Sequence, residues 1–212
     1  MDLAIDKFDK RRLGLITGSA CSVLFPEKES KEKVGQKTYA KQLAIQKYFN
    51  HYDEVSTWQI QHGNYNEHEA YTYYQDNYDF SIEKGHFEMV ENWGGTSDSL
   101  STKYGLDFKC PTSLTAWLDY LYVGISKQQW HQAQMYMMLF KKDLWKICAY
   151  LTETEFMIQN ELSYPVPVDK RMIIVDIVKD LEWENKLREN TPFVISEREK
   201  YFDILCKQFG EK

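Results

Sequence analysis

The stretch that most restricts how this 212-residue chain can fold is a pair of short runs, Thr96-Ser97-Asp98-Ser99-Leu100 and Leu106-Asp107-Phe108-Lys109-Cys110-Pro111. Successive side chains of a strand point to opposite sides of a sheet, so the second run sends Leu106 and Phe108 to one face and Asp107 and Lys109 to the other. Gly105, with Thr102 and Lys103 before it, supplies a turn, and the expected hairpin folds Asp98 back to within about one register step of Asp107. Two carboxylates and an ammonium then share one surface. Hard oxygen donors of this kind suit Mg²⁺ or Mn²⁺, ions that commonly serve phosphate chemistry.

Length and composition bound what surrounds the hairpin. A chain of 212 residues cores one domain well and is short for two. One domain over residues 1–212 is expected, with the motif-bearing part at about 12–140 and a strand-and-helix tail over 144–210. Six Trp and fifteen Tyr are spread along the whole length, which implies a continuous core. Cys21, Cys110, Cys148 and Cys206 form no CxxC pair and no zinc-finger spacing with His, and read as reduced, mostly buried thiols. No apolar run approaches the roughly 20 residues of a membrane span, and Met1-Asp2-Leu3-Ala4-Ile5-Asp6 lacks the basic and apolar character of a signal segment, so a cytoplasmic location and no membrane partner are expected. The formal net charge of −6 argues against coating nucleic acid by bulk electrostatics. Any such contact needs a local basic surface such as Lys7, Lys10, Arg11 and Arg12.

Periodicity predicts a helix capped by Thr17 or Ser19 and stopped by Pro26, a charged loop over 27–35, and helices over 38–49, 66–78, 114–122 and 127–141. Strands are expected over 80–92, before a Trp93-Gly94-Gly95 corner, and over 144–151 and 171–178. Ser196 and Glu199 form a capping-box pattern for a last helix ending near Gly210. Helices around a central group of strands make the fold class α/β (α+β) with a mixed sheet.

Taken singly, Asp98 reads as a turn residue, and Asp107 with Lys109 as the polar side of a surface hairpin. Their conjunction, D-x(n)-[D/E]-x-K, is what a phosphodiester hydrolase needs: carboxylates to hold a metal, and a cation to orient water or offset developing charge. Glu67 adds independent support. It shares a helical stripe with Ala70, Tyr71, Tyr74 and Tyr78, where an unpaired carboxylate is costly unless it binds a metal; the competing reading sets it at a helix start, stabilised by the dipole. Gln132 makes a similar but weaker case on a face with Met135, Tyr136 and Leu139. His51, His62, His68, His86 and His131 show no metal-binding spacing, Cys110 has no evident His partner, and Gly94-Gly95 lacks the Lys and Ser/Thr of a phosphate loop.

Four blocks then fall in a familiar order. Arg12-Leu13-Gly14-Leu15-Ile16-Thr17-Gly18-Ser19 is similar to R-x-G-x-I-T-x-S, and Gly63-Asn64-Tyr65-Asn66-Glu67-His68-Glu69-Ala70 to G-x(3)-E-x(2)-A. The hairpin is similar to S-P-D-G-L followed by [L/I]-E-x-K-C-P, and Gln132-Ala133-Gln134 through Met137 to Q-x-Q-x-x-M. In these blocks the chain resembles the lambda-exonuclease-like, or YqaJ-type viral recombinase, group of the PD-(D/E)xK nucleases. Two departures stand out: Asp107 where the family has Glu, and Ser97 and Ser99 where it has Pro and Gly around the first acid.

The resemblance implies a restriction-endonuclease-like core and a Mg²⁺-dependent deoxyribonuclease, with Mn²⁺ able to substitute. The implied activity is a phage-type 5′-to-3′ exonuclease on duplex DNA ends, exposing single strand for recombination. It implies metal ligation by Asp98, Asp107, Glu67 and the Phe108 carbonyl, catalysis by Lys109 aided by Gln132, and 5′-phosphate binding by Arg12 and Ser19. A homotrimer and a single-strand annealing recombinase as partner follow from the same likeness. A structure-selective or single-strand endonuclease, and an inactive DNA-end-binding protein whose serines have spoiled the metal site, remain the alternatives.

Overall fold

The structure, a computed structural model, describes residues 9–26, 33–53 and 57–211. Lys7 and the charged residues 27–32 lie outside the described residues. Among the described residues two sheets form the centre. A three-stranded sheet runs in the order β1 (Ile16–Thr17), β4 (Trp93–Thr96), β3 (Phe87–Val90). A five-stranded sheet runs β2 (Glu83–Lys84), β5 (Ser99–Leu100), β6 (Gly105–Lys109), β7 (Leu144–Tyr150), β8 (Met172–Val178). The pairs β1–β4 and β6–β7 are parallel and the others antiparallel, so both sheets are mixed, as expected.

Among the described residues six α-helices surround the sheets: α1 (Val34–Phe49), α2 (Trp58–Asn77), α3 (Leu114–Tyr122), α4 (Lys127–Phe140), α5 (Glu155–Gln159) and α6 (Leu181–Phe209). Parallel strands buried on both faces need apolar residues on both sides. Leu106, Phe108, Cys148 and Tyr150 accordingly pack with Ala70 and Tyr74 of α2, while Trp145 and Ile147 join Met135, Tyr136 and Leu139 of α4 in the larger core with α1 and α6.

Several boundaries differ from the expected ones. Thr17 lies in β1, and the segment after it is a short 3₁₀ helix over Cys21–Leu24 with Ala20 at its N-cap and no side-chain cap. Trp93-Gly94-Gly95 is not a corner but strand β4, because Glu91 and Asn92 make the turn. Gly105 begins β6 rather than forming the turn; that turn is Ser101 to Tyr104, closed by Ser101 N donating to the Tyr104 carbonyl at 2.8 Å. Gly105 is glycine because the Trp145 ring lies over it and a Cβ would overlap that ring.

The last helix begins fifteen residues before Ser196, with Asp180 as its N-cap, and passes through Pro192. Proline removes one helical hydrogen bond. Burial of Trp183, Leu187, Thr191 and Val194 keeps the helix continuous, and Thr191 Oγ1 accepts from Trp93 Nε1 at 3.1 Å.

Two polar clasps seat α4. Gln134, fully buried, donates to the Val178 carbonyl at 2.8 Å and accepts from Asp180 N at 2.8 Å, so its amide is spent on backbone. His131 stacks on Phe25 and accepts at Nδ1 from Trp183 Nε1 at 2.6 Å. Burial, aided by Lys127, pulls its pKa down to about 4. An unfolded histidine titrates near 6.5, so between about 6.5 and 4 the unfolded chain binds a proton that the folded one does not. The contribution of His131 to stability is therefore expected to be full above pH ~6.5 and to fall as the pH drops towards 4. Urea unfolding midpoints of the native chain and His131→Gln, compared from pH 7 to 4.5, check this: the difference between the two should shrink with acid, and parallel curves would exclude the effect.

Candidate active site

The hairpin forms in the register that the residue pattern implies. Ser99 pairs with Leu106 and Leu100 with Gly105, which sets Asp98 across from Asp107. Asp98 is anchored at both its carbonyl and its carboxylate. Its main-chain oxygen accepts from Gly85 N at 3.0 Å, and Oδ2 accepts from Phe108 N at 2.7 Å. The two serines flank Asp98 and are both buried. Ser97 is buried against Gly85, where a Cβ would strike its carbonyl, and Ser99, wholly buried in β5, donates Oγ to the Glu83 carbonyl at 2.6 Å.

Asp107 and Lys109 face α4 and form an ion pair; Asp107 is buried and Lys109 partly so. A cleft of about 600 Å³ opens at this end of β6, lined by Glu67, Asp98, Asp107, Phe108, Lys109 and Gln132 among others. Glu67 reaches it from α2. That helix starts at Trp58, capped by Thr57, so Glu67 lies more than two turns inside it and the helix-start reading of this carboxylate does not hold. Gln132 comes from α4, and its Nε2 donates to Tyr136 Oη at 3.2 Å. The buried amide of α4 is Gln134, whereas Gln132 is half-buried in the cleft wall.

Electrostatics single out Asp98. Desolvation first, then the carboxylates of Asp107 and Glu67, push its pKa well above the usual range against the pull of Lys109 and the Phe108 N–H. Burial works to lower the Lys109 pKa, but Asp107 and Asp98 outweigh it and raise it, so this ammonium stays charged. Cys110, also lining the cleft, is pushed up to about 12 by burial and then by Glu67 and Asp98, which removes it as a thiolate nucleophile.

Among the described residues no three His, Cys, Asp or Glu side chains are gathered closely enough to enclose a metal ion as they stand. Asp107 is turned to Lys109. The donors fit a hard divalent cation by chemistry, since carboxylates and a main-chain carbonyl are the ligands such ions take. The charge also fits: among the described residues three carboxylates line the cleft against one lysine, and their mutual repulsion is what a divalent cation would offset.

Arg12 and Ser19 do not line this cleft. Ser19 is exposed, and its carbonyl accepts from Gln128 Nε2 at 2.8 Å, one helical turn before Gln132 on the same face of α4. Arg12 is half-buried at the end of the Lys10–Arg12 turn. Arg11 of the same basic cluster is paired with Asp9 at 2.6 Å, so part of that positive charge is neutralised locally.

Two tyrosines went unassigned in the sequence. Tyr120 lines the cleft from α3 and accepts from Gln129 Nε2 at 2.7 Å. Ser126 and Gln129 form a capping box that is readable as S-x-x-Q. Tyr136 lies behind Gln132, and burial followed by Asp107 raises its pKa, so it remains a neutral phenol.

No protein-family model matches this sequence, and no curated protein does. Solved structures do match. An alkaline exonuclease, LHK-Exo, from Laribacter hongkongensis superposes with a TM-score of 0.75 at 16% identity, covering 93% of this chain and 94% of its own. A second structure of LHK-Exo, in complex with dAMP, gives a TM-score of 0.71 at 16% identity over 94% and 95% of the two chains. A phage-related exonuclease from Haemophilus somnus gives 0.71 at 21% identity over 92% and 96%. The chain therefore has the mixed α/β fold of these exonucleases, the fold that the four sequence blocks led one to expect.

Proposed function

We propose that this chain is a metal-dependent deoxyribonuclease, a phage-type 5′-to-3′ exonuclease that digests one strand of duplex DNA from its ends and leaves single strand for recombination. The observation that carries the reading is the convergence of Asp98, Asp107 and Lys109 from adjacent strands with Glu67 and Gln132 from two helices on one cleft. The likeness of fold to exonucleases supports it.

Glu67, Asp98, Asp107 and the Phe108 carbonyl would hold Mg²⁺, or Mn²⁺ in its place. When bound, the ion supplies positive charge against the phosphate and acidifies water. Lys109, kept charged by its two carboxylate neighbours, orients the attacking water or offsets charge growing on the phosphate. Gln132 steadies that lysine or the water. Asp98, fixed by two main-chain bonds, gives the site its rigidity. Arg12 and Ser19 would take the terminal 5′-phosphate, a role supported by the link between Ser19 and Gln128 one turn from Gln132. Duplex DNA ends are the substrate, a homotrimer the expected assembly and a single-strand annealing protein the expected partner. Among the described residues no helix is long and apolar enough to cross a membrane.

Three outcomes are expected. Lys109→Ala and Asp98→Ala should each lower digestion of end-labelled linear duplex by at least about a thousandfold, with the circular dichroism spectrum unchanged; native-level digestion by either variant would defeat the assignment. Closed circular duplex should survive, and a 5′-phosphate end should be digested faster than a 5′-hydroxyl end; cutting of the circle would point to an endonuclease.

The third concerns stability. Because the folded pKa of Asp98 lies above its unfolded value near 3.9, its ionisation costs stability that is absent below that pH and grows as the pH rises through the folded pKa. At neutral pH without metal, Asp98→Asn keeps an acceptor for the Phe108 N–H and should melt a few degrees higher than the native chain. Added Mg²⁺ or Mn²⁺ should raise the melting point of the native chain only. A melting point for Asp98→Asn at or below the native value would contradict this account of the cleft.

A further inference from the structure

We propose that Tyr136 is a positioning residue of this cleft, whose hydroxyl fixes the orientation of the Gln132 amide; the inference deepens the nuclease reading above and rests on it. The two residues are four apart on α4, so their side chains lie one above the other. A half-exposed glutamine ordinarily samples many rotamers. Here Nε2 is engaged by Tyr136 Oη at 3.2 Å, which leaves Oε1 as the atom of the amide that would accept in the cleft, from the Lys109 ammonium or from water.

The tyrosine is itself held. It is 5% exposed, with its ring edge-on to Phe140 at 6.0 Å and tilted against Trp145 at 5.3 Å. Its outer edge occupies a slot made by two glycines. The parallel register of β1 and β4 pairs Thr17 with Gly94, which sets Gly18 beside Gly95. A Cβ on Gly18 or Gly95 would overlap the Tyr136 ring. Phenylalanine would fill that slot equally well. The core therefore explains the ring and not the hydroxyl, whose hydrogen-bond partner is Gln132.

A double-mutant cycle on digestion of end-labelled linear duplex tests this, with Tyr136→Phe and Gln132→Ala made singly and together. Tyr136→Phe keeps the ring in its slot and should fold, with kcat lowered roughly tenfold and KM unchanged. In the Gln132→Ala background the same change should cost nothing further. Equal losses in both backgrounds, or no loss in either, overturn the proposal, since a tyrosine serving only the core is indifferent to Gln132. NMR of the Gln132 side-chain amide, identified by its absence in Gln132→Ala, reads the tether without catalysis. Its exchange with water should quicken in Tyr136→Phe, and unchanged exchange overturns the proposal. If the native chain digests no DNA while the amide responds, the nuclease reading falls and the tether stands; if it digests DNA and the amide does not respond, the reverse holds.

Discussion

The hydrogen bond from Phe108 N to the Asp98 carboxylate is the contact on which the cleft depends. It ties the residue before β5 to the middle of β6 and forces two carboxylates to approach each other across a strand pair. Such an approach is unfavourable in itself, because desolvated like charges repel. Lys109 offsets part of that cost, and Glu67 adds to it from the facing helix. The result is a negatively charged pocket with one fixed cation, preorganised by main-chain bonds rather than by flexible side chains.

Everything around the hairpin serves to hold that arrangement still. Apolar residues on both faces of β6 and β7 bring α2 and α4 against opposite sides of one sheet, and the cleft opens between them at the end of β6. Gln134 and His131 lock α4 to the start of α6, so that Gln132 is presented from a helix that cannot slide. The glycine slot for Tyr136 extends the same control to one turn of that helix, and joins the segment carrying Ser19 to the strand before Asp98.

Much of this was legible because it depends on near neighbours. Alternation along 106–109, the turn residues after Leu100, and the apolar periods of α3 and α4 are local properties, and the bounds of those two helices and the facing acids followed from them. The misreadings share one cause. Gly105 looked like a turn residue and is a glycine for the sake of Trp145, forty residues away; Trp93-Gly94-Gly95 looked like a corner and is a strand because β1 and β3 flank it. Ser196 looked like a helix start by its capping-box pattern, yet α6 begins at Leu181 and runs through Pro192 because its buried face outweighs one lost hydrogen bond.

The sequence by itself determined the chemistry available: two acids and a lysine on one face of a hairpin, a glutamate and a glutamine on helices, and the order of four blocks that pointed to the fold. Only the tertiary structure decided which groups meet. It brought Glu67 into the cleft from the middle of a helix, separated the half-buried amide of Gln132 from the buried one of Gln134, and left Arg12 and Ser19 outside the lining. The physical reason is that strand alternation and helix period are set by bonds between near neighbours. Which faces come together is set by burial and by hydrogen bonds between residues far apart in the chain, and no short window of residues contains both partners.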